Sequence, residues 1–254
     1  MPNGIQLPAL RTAANAERGA DQKLWEEDIM KIPFTVEQFF DIFGSYNNAL
    51  WPFQIVAYIL GIFILALALR ENELSSRIIS GILALFWIWM GIFYHIVQFS
   101  VINPAAWIFG IVYILQGLLF LVIGTIHGRL SFRFLLKPLP ITGGCFILYA
   151  MMVYPLLGMS FGHSYPRAPM FGVAPCPTTV FTFGILLWAI KPVPAYLLVI
   201  PLLWSIVGMS AAVNLRVSQD YGLVVAGILG TALILKESRK AKKGAQQSAL
   251  TDRR

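Results

Sequence analysis

Apolar residues run in long blocks along most of this chain, and the charged residues are confined between them. A helix needs about 20 mainly apolar residues to cross a bilayer. Seven stretches come near that length: 51–69, 78–99, 105–126, 138–157, 174–190, 194–213 and 221–235. The fifth and seventh are short, so their boundaries are soft. From Arg70 to Lys236 every Asp, Glu, Lys and Arg falls outside these stretches. A charge at the centre of a span costs about 2.5–3.5 kcal/mol on insertion scales, which gives that partition its weight.

The chain before the first block reads differently. Residues 1–33 form a flexible polar arm without the apolar core of a signal peptide. Over 34–50, Val36, Phe39, Phe40, Phe43 and Leu50 recur near helical spacing behind Thr35 and Gln38, which fit a capping box. This predicts an amphipathic interfacial helix that turns into the first span at Trp51-Pro52. The expected fold is an all-α integral membrane bundle of about seven transmembrane helices over 51–235. A basic cytoplasmic tail follows at 236–254.

Composition agrees with that class. Hydrophobic residues make up 57% and charged residues 12%, against about 25% charged in soluble domains, and mean hydropathy is +0.71. A cytosolic enzyme domain, a disordered chain and a nucleic-acid module are excluded. The net charge of +7 is not a nucleic-acid signal, because it is lopsided. Arg70, Arg77, Arg129, Arg133, Lys137, Lys191, Lys236, Arg239, Lys240, Lys242, Lys243, Arg253 and Arg254 fall on one side of the expected topology. Only Arg11, Arg18, Lys23, Lys31, Arg167 and Arg216 fall on the other. The positive-inside rule makes the first side cytoplasmic and puts the N-terminus outside. The basic tail is expected to meet anionic lipid.

Polar groups inside a membrane must find partners, so their depth carries information. Gln54, Tyr58, Tyr94, His95, Gln98, Asn103, Tyr113, Gln116, Tyr154, Cys176, Thr179, Ser210 and Asn214 all crowd toward the outer half of the expected bundle. An outward-facing polar pocket follows, with His95, Gln98, Asn103, Tyr154, His163, Arg167, Cys176 and Thr179 as its candidate residues. The connection over 158–179 is rich in Pro and Gly, which fix sharp backbone turns. It is expected to fold over or into the bundle, as a lid or as a plain cap. Arg167 could attract an anion or pair with Asp220 of the sixth loop.

Other chemistries have less behind them. His163 and Cys176 with Met159, Met170 or Met209 are the ingredients of a soft-metal site, but they lack any paired ligand spacing, and His95 alone could ligate haem. No cofactor is expected. The last span has no Lys before Lys236, against retinal binding. Cys145 and Cys176 do not make a disulfide scaffold. No nucleophile elbow, Walker loop or paired membrane carboxylates occur, so hydrolase, ATPase and carboxylate-driven proton coupling lack residues. Trp87…Gly91 and Trp204…Gly208 share a spacing that a three-plus-one-plus-three repeat would give.

Three stretches carry a resemblance: PFTVEQFFDIFGSYN at 33–47, INPAAWIFG at 102–110 and GHSYPRAPMFGVAPCPTTVFTFG at 162–184. They resemble a family of bacterial multi-pass inner-membrane proteins known only as a domain of unknown function, from about Pro33 to Leu235. The resemblance implies class and location and brings no activity. The first functional expectation is therefore a small-solute permease or channel-like protein, not an enzyme, in the bacterial inner membrane. The alternative is an accessory subunit of a larger membrane complex. Other membrane subunits would then be partners beside the lipid bilayer, meeting it at Phe86, Trp87, Trp89 and Phe93.

Overall fold

The computed structural model describes residues 33–251. The polar arm expected over 1–33 lies outside the described residues apart from Pro33, as do Asp252, Arg253 and Arg254 of the tail.

The described residues are all-helical, with one isolated bridge between Phe132 and Ala189 and no strand. Helix α1 (Val36–Leu50) turns Phe39, Phe40, Phe43, Tyr46 and Asn47 inward and leaves Glu37, Asp41 and Ser45 exposed. At Trp51-Pro52 the chain bends by 84° into α2 (Phe53–Ala68). Proline, which has no N–H to continue the α1 ladder, explains the break. Helix α2 exposes Phe53, Ile55, Val56, Ile59, Ile62 and Phe63, a surface that water would not tolerate and lipid would.

Five helices are long and apolar enough to cross a membrane. The first two are α3 (Glu73–Val101) and α4 (Ala106–Ile126). The others are α5 (Pro138–Ser160), α7 (Ala195–Asn214) and the span Ser218–Gly244, whose helix α8 is Tyr221–Thr251. The bent pair α1–α2 raises the number to six at most. The expected count of seven is not reached, because the stretch at 174–190 forms only α6 (Pro175–Leu186) of 12 residues. At 1.5 Å per residue such a helix is about 18 Å long, well short of a ~30 Å hydrocarbon core. It is apolar on every face because it is the buried centre of the bundle, with all residues but Cys176 buried.

Between α5 and α7 the chain still travels from one end of the bundle to the other. Residues 161–174 fold inward beside α1, α6 continues from there, and Ile190 N–H donates to the Ser131 carbonyl at 2.9 Å. Ser131 belongs to the connection that carries Arg133, which pairs with Glu71. The basic connections thus meet at one end, and α1 with the long loop caps the other.

The helices approach closely through small residues, as membrane helices do. A Cβ on Gly91 would stand 2.8 Å from the Gly110 carbonyl oxygen, and one on Gly117 2.8 Å from that of Ala84, so α3 and α4 touch backbone to backbone. Gly143 of α5 and Gly184 of α6 make the same contact, each Cβ falling 2.6 and 2.7 Å from the other's carbonyl. The surface expected to meet a partner is mostly absent. Phe86 and Trp87 are buried, and Trp89 donates to the Tyr46 hydroxyl at 3.1 Å. Phe93 alone of the four is exposed.

Candidate functional site

The eight residues expected to share a pocket lie in three settings. Gln98 and Asn103 bond away from the others: Gln98 donates to the Ser45 hydroxyl of α1, and the Asn103 side chain accepts from the Ala105 N–H at 3.1 Å. His163 and Arg167 line a surface cleft with Glu37 and Phe40. His95, Tyr154, Cys176 and Thr179 are drawn into the bundle's interior.

The cleft, about 460 Å³, lies between α1 and the loop. Arg167 pairs with Asp41 at 2.9 Å, not with Asp220. The His163 ring stacks on Phe40 with centroids 3.8 Å apart. The loop is tied to α1 by Asn47, whose amide donates to the carbonyls of Pro166 at 2.6 Å and Ala168 at 2.8 Å. Tyr46 adds a 3.0 Å bond to the Val173 carbonyl. Farther in, Phe171 is fully buried. Gly172 follows at φ +79°, where a Cβ would fall 2.4 Å from that of Ala57. Only glycine turns the chain there without a clash.

Burial, and then the Arg167 charge, hold the His163 imidazole below its ordinary pKa of 6.5. The sign follows from linkage: the unfolded chain takes up this proton more readily, so the loop contact is intact above 6.5 and weakens as pH falls below it. Glu37 and Arg167 line the same cleft, and Asp41 pairs with Arg167. Thermal midpoints are therefore expected to drop between pH 7.5 and 5 by more in the wild type than in His163→Gln. Parallel curves would show that His163 does not report the loop contact.

The interior group is a row of buried polar side chains, several of which have atoms without a hydrogen-bond partner. His95 is buried among the rings of Tyr113, Trp204, Tyr94 and Phe109, with centroids at 4.6, 5.0, 5.0 and 5.9 Å, and neither ring nitrogen has a hydrogen-bond partner. Trp204 has an unpartnered indole nitrogen and adjoins the Cys176 thiol, which also lies against Asp220 and Tyr154. Tyr154 donates to one Asp220 carboxyl oxygen at 2.6 Å, and the other oxygen has no partner. The neighbouring Gln219 amide is buried with both ends unbonded, while the Gln219 carbonyl accepts from Tyr149 at 2.6 Å. Thr179 bonds back to the Pro175 carbonyl at 2.8 Å and sits 3.5 Å from the Tyr113 hydroxyl.

Local backbone geometry builds this row. In α3 the coil widens to a π-helix over Met90–Gln98, which carries Tyr94 and His95. In α5 a second π segment, Tyr149–Val153, ends directly before Tyr154. Such segments interrupt the regular ladder and recur at functional positions. Short Ser218–Asp220 tucks Gln219 and Asp220 inward beneath the loop. A methyl group on Gly158 would stand 3.4 Å from the Gln219 amide nitrogen and 3.3 Å from the His163 carbonyl oxygen, so the row begins where the loop closes. Cys176 keeps partial exposure amid buried neighbours.

Asp220 corrects the sequence reading, which left it in a connecting loop. It is 1% exposed, so a carboxyl group does stand inside the bundle. Its sequence neighbourhood, Ser218-Gln219-Asp220 before an apolar run, is what an exposed helix start also looks like. Tyr113 and Trp204 were visible as intramembrane polar or packing residues, but nothing in the sequence joins them to Cys176. Among the described residues no three His, Cys, Asp or Glu side chains gather as a metal site.

Residues 36–245 match the model of a family described as Family of unknown function (DUF6064). No curated protein matches the chain, nor does any solved structure.

Proposed function

This chain belongs to that family of unknown function, and from the row at its centre we propose that it is a small-solute permease or channel-like protein. The row itself is the binding site. A single observation carries the reading: Gln219, Asp220, Trp204 and His95 present unpartnered buried polar atoms in sequence, bridged by Cys176. Each such atom left dry costs roughly 1–3 kcal/mol, and a small polar solute or its water would satisfy several at once. The rings between them supply apolar contact, as in ordinary ligand sites.

Access is from the loop end, where Gly158 and Cys176 bring the row nearest to solvent. The bias of Lys and Arg toward the opposite end supports the cytoplasmic assignment of that end, with the N-terminus outside, in a bacterial inner membrane. The loop stitched to α1 then acts as a lid over an outward-facing site.

Cys176 is the natural reporter. In a Cys145→Ser background, added to sealed vesicles, a small hydrophilic methanethiosulfonate is expected to modify Cys176 without denaturant. Modification is expected to block the swelling of proteoliposomes in glycerol or urea. A thiol that reacts only after unfolding would make the row a closed structural core and remove the proposal.

A further inference from the structure

Asp220 is the one acid of the row, and nothing positive stands against it. Of the groups facing it, Tyr154 and Tyr149 come from α5 and Cys176 from α6, with Tyr94 of α3 and Tyr113 of α4 farther off. All are neutral around pH 7. Among the described residues no Lys or Arg pairs with it: Arg77, Arg133 and Arg167 are engaged with Glu73, Glu71 and Asp41. A carboxylate cut off from water must be paired or neutralised. Tyr154 occupies one oxygen with a 2.6 Å bond, and the second oxygen has no hydrogen-bond partner and lies by the Cys176 thiol.

We propose that Asp220 is a cation-for-proton exchange group, holding a proton when the site is empty and releasing it when a small monovalent cation binds at its open oxygen. The inference rests on reading the row as a solute site and adds the solute's charge to it. The step balances. The carboxylic O–H bond breaks, the proton leaves to bulk water, and one positive charge replaces it against the carboxylate. The surrounding Tyr154, Tyr149 and Trp204 rings suit such a guest, because aromatic faces attract cations. Sodium, potassium, ammonium and methylammonium are small monovalent guests of this kind.

The test uses the purified full chain in lightly buffered detergent at pH 7 with a pH-indicating dye. Sodium, potassium, ammonium and methylammonium chlorides are added in turn, with N-methylglucamine chloride as the bulky control. The expected result is saturable release of up to about one proton per chain with at least one small cation and none with the control. Release is lost in Asp220→Asn and retained in Asp220→Glu. Comparison of the four salts separates alkali from ammonium-type guests. Equal release from wild type and Asp220→Asn, or no release from the wild type, overturns the assignment. A thermal midpoint near that of the wild type shows that Asp220→Asn is folded, and Cys176 labelling is run on the same samples in the Cys145→Ser background. The labelling separates the two readings: an accessible thiol with no proton release leaves a solute site that takes neutral guests, whereas a sealed thiol removes both.

Discussion

Gly143→Leu is expected to cost about 3 kcal/mol or more, while Gly144→Leu, one residue along, leaves stability near wild type. The two glycines are indistinguishable in the sequence, and both lie in the first half of α5. A Cβ at Gly143 would meet the Gly184 carbonyl oxygen at 2.6 Å and the Trp188 ring at 2.9 Å, whereas one at Gly144 meets nothing within 4 Å. The clash is with backbone, which cannot rotate away, so α5 and α6 must separate along their contact. Overpacking a close core contact costs roughly 1–3 kcal/mol, occasionally more, and here it also threatens the Trp188 bond to the Pro140 carbonyl at 2.7 Å. A fall in thermal midpoint of roughly 10 °C corresponds to this for a chain of such size. Measured by fluorescence-detected size exclusion after heating in detergent, similar midpoints for the two variants would refute the backbone contact.

Phe171→Ala carries the second large effect. This ring joins the long loop to the bundle: it is fully buried, packs on Phe181, Tyr58 and Phe86 at centroid distances of 4.8, 5.3 and 5.7 Å, and covers Gly61. Removing a buried Phe costs about 3–5 kcal/mol, transfer and cavity together. Part of that loss is local, because the remaining ties of residues 161–174 to α1 are the hydrogen bonds from Asn47 and Tyr46, the His163–Phe40 stack and the exposed Arg167–Asp41 pair. Exposed pairs hold about 0–1 kcal/mol. The expected observation is faster hydrogen exchange across 161–174 together with a lowered global midpoint. A lowered midpoint with unchanged exchange in the loop would mean that Phe171 stabilises the bundle without holding the lid.

Much of the architecture was legible because hydropathy along a chain measures something local. Blocks of about 20 apolar residues located α3, α4, α5, α7 and the start of α8, and the bend at Trp51-Pro52 followed from a proline at the junction of an amphipathic and an apolar stretch. The same measure does not settle 174–190. An apolar run looks alike whether lipid or protein surrounds it, and α6 is a 12-residue helix enclosed by the bundle. Asp220 failed for the complementary reason. A carboxylate beside a helix start is usually solvated, and only the inward tuck of Ser218–Asp220 under Gly158 removes it from water.

The candidate residues divide in the same way. Depth was readable, so His95, Tyr154, Cys176 and Thr179 were marked together. Rotation about the helix axis was not, and two π segments alter it further for Tyr94, His95 and Tyr154. Gln98 and Asn103 shared the expected depth yet bond elsewhere, Gln98 to Ser45 of α1 and Asn103 to the Ala105 N–H.

By itself, the order of residues determined that this chain has several helices able to cross a membrane, that charge is kept from them, and that the basic residues favour one end. Those properties depend on the transfer of each segment between water and lipid, a sum over neighbours in sequence. Which polar groups meet inside the bundle was decided only by the tertiary structure. Glycine contacts set the helix separations, a folded-in loop starts α6 at depth, and together they close His95, Trp204, Cys176 and Asp220 into one row. Contacts between residues as far apart as these depend on helix rotation and approach, which no local pattern specifies.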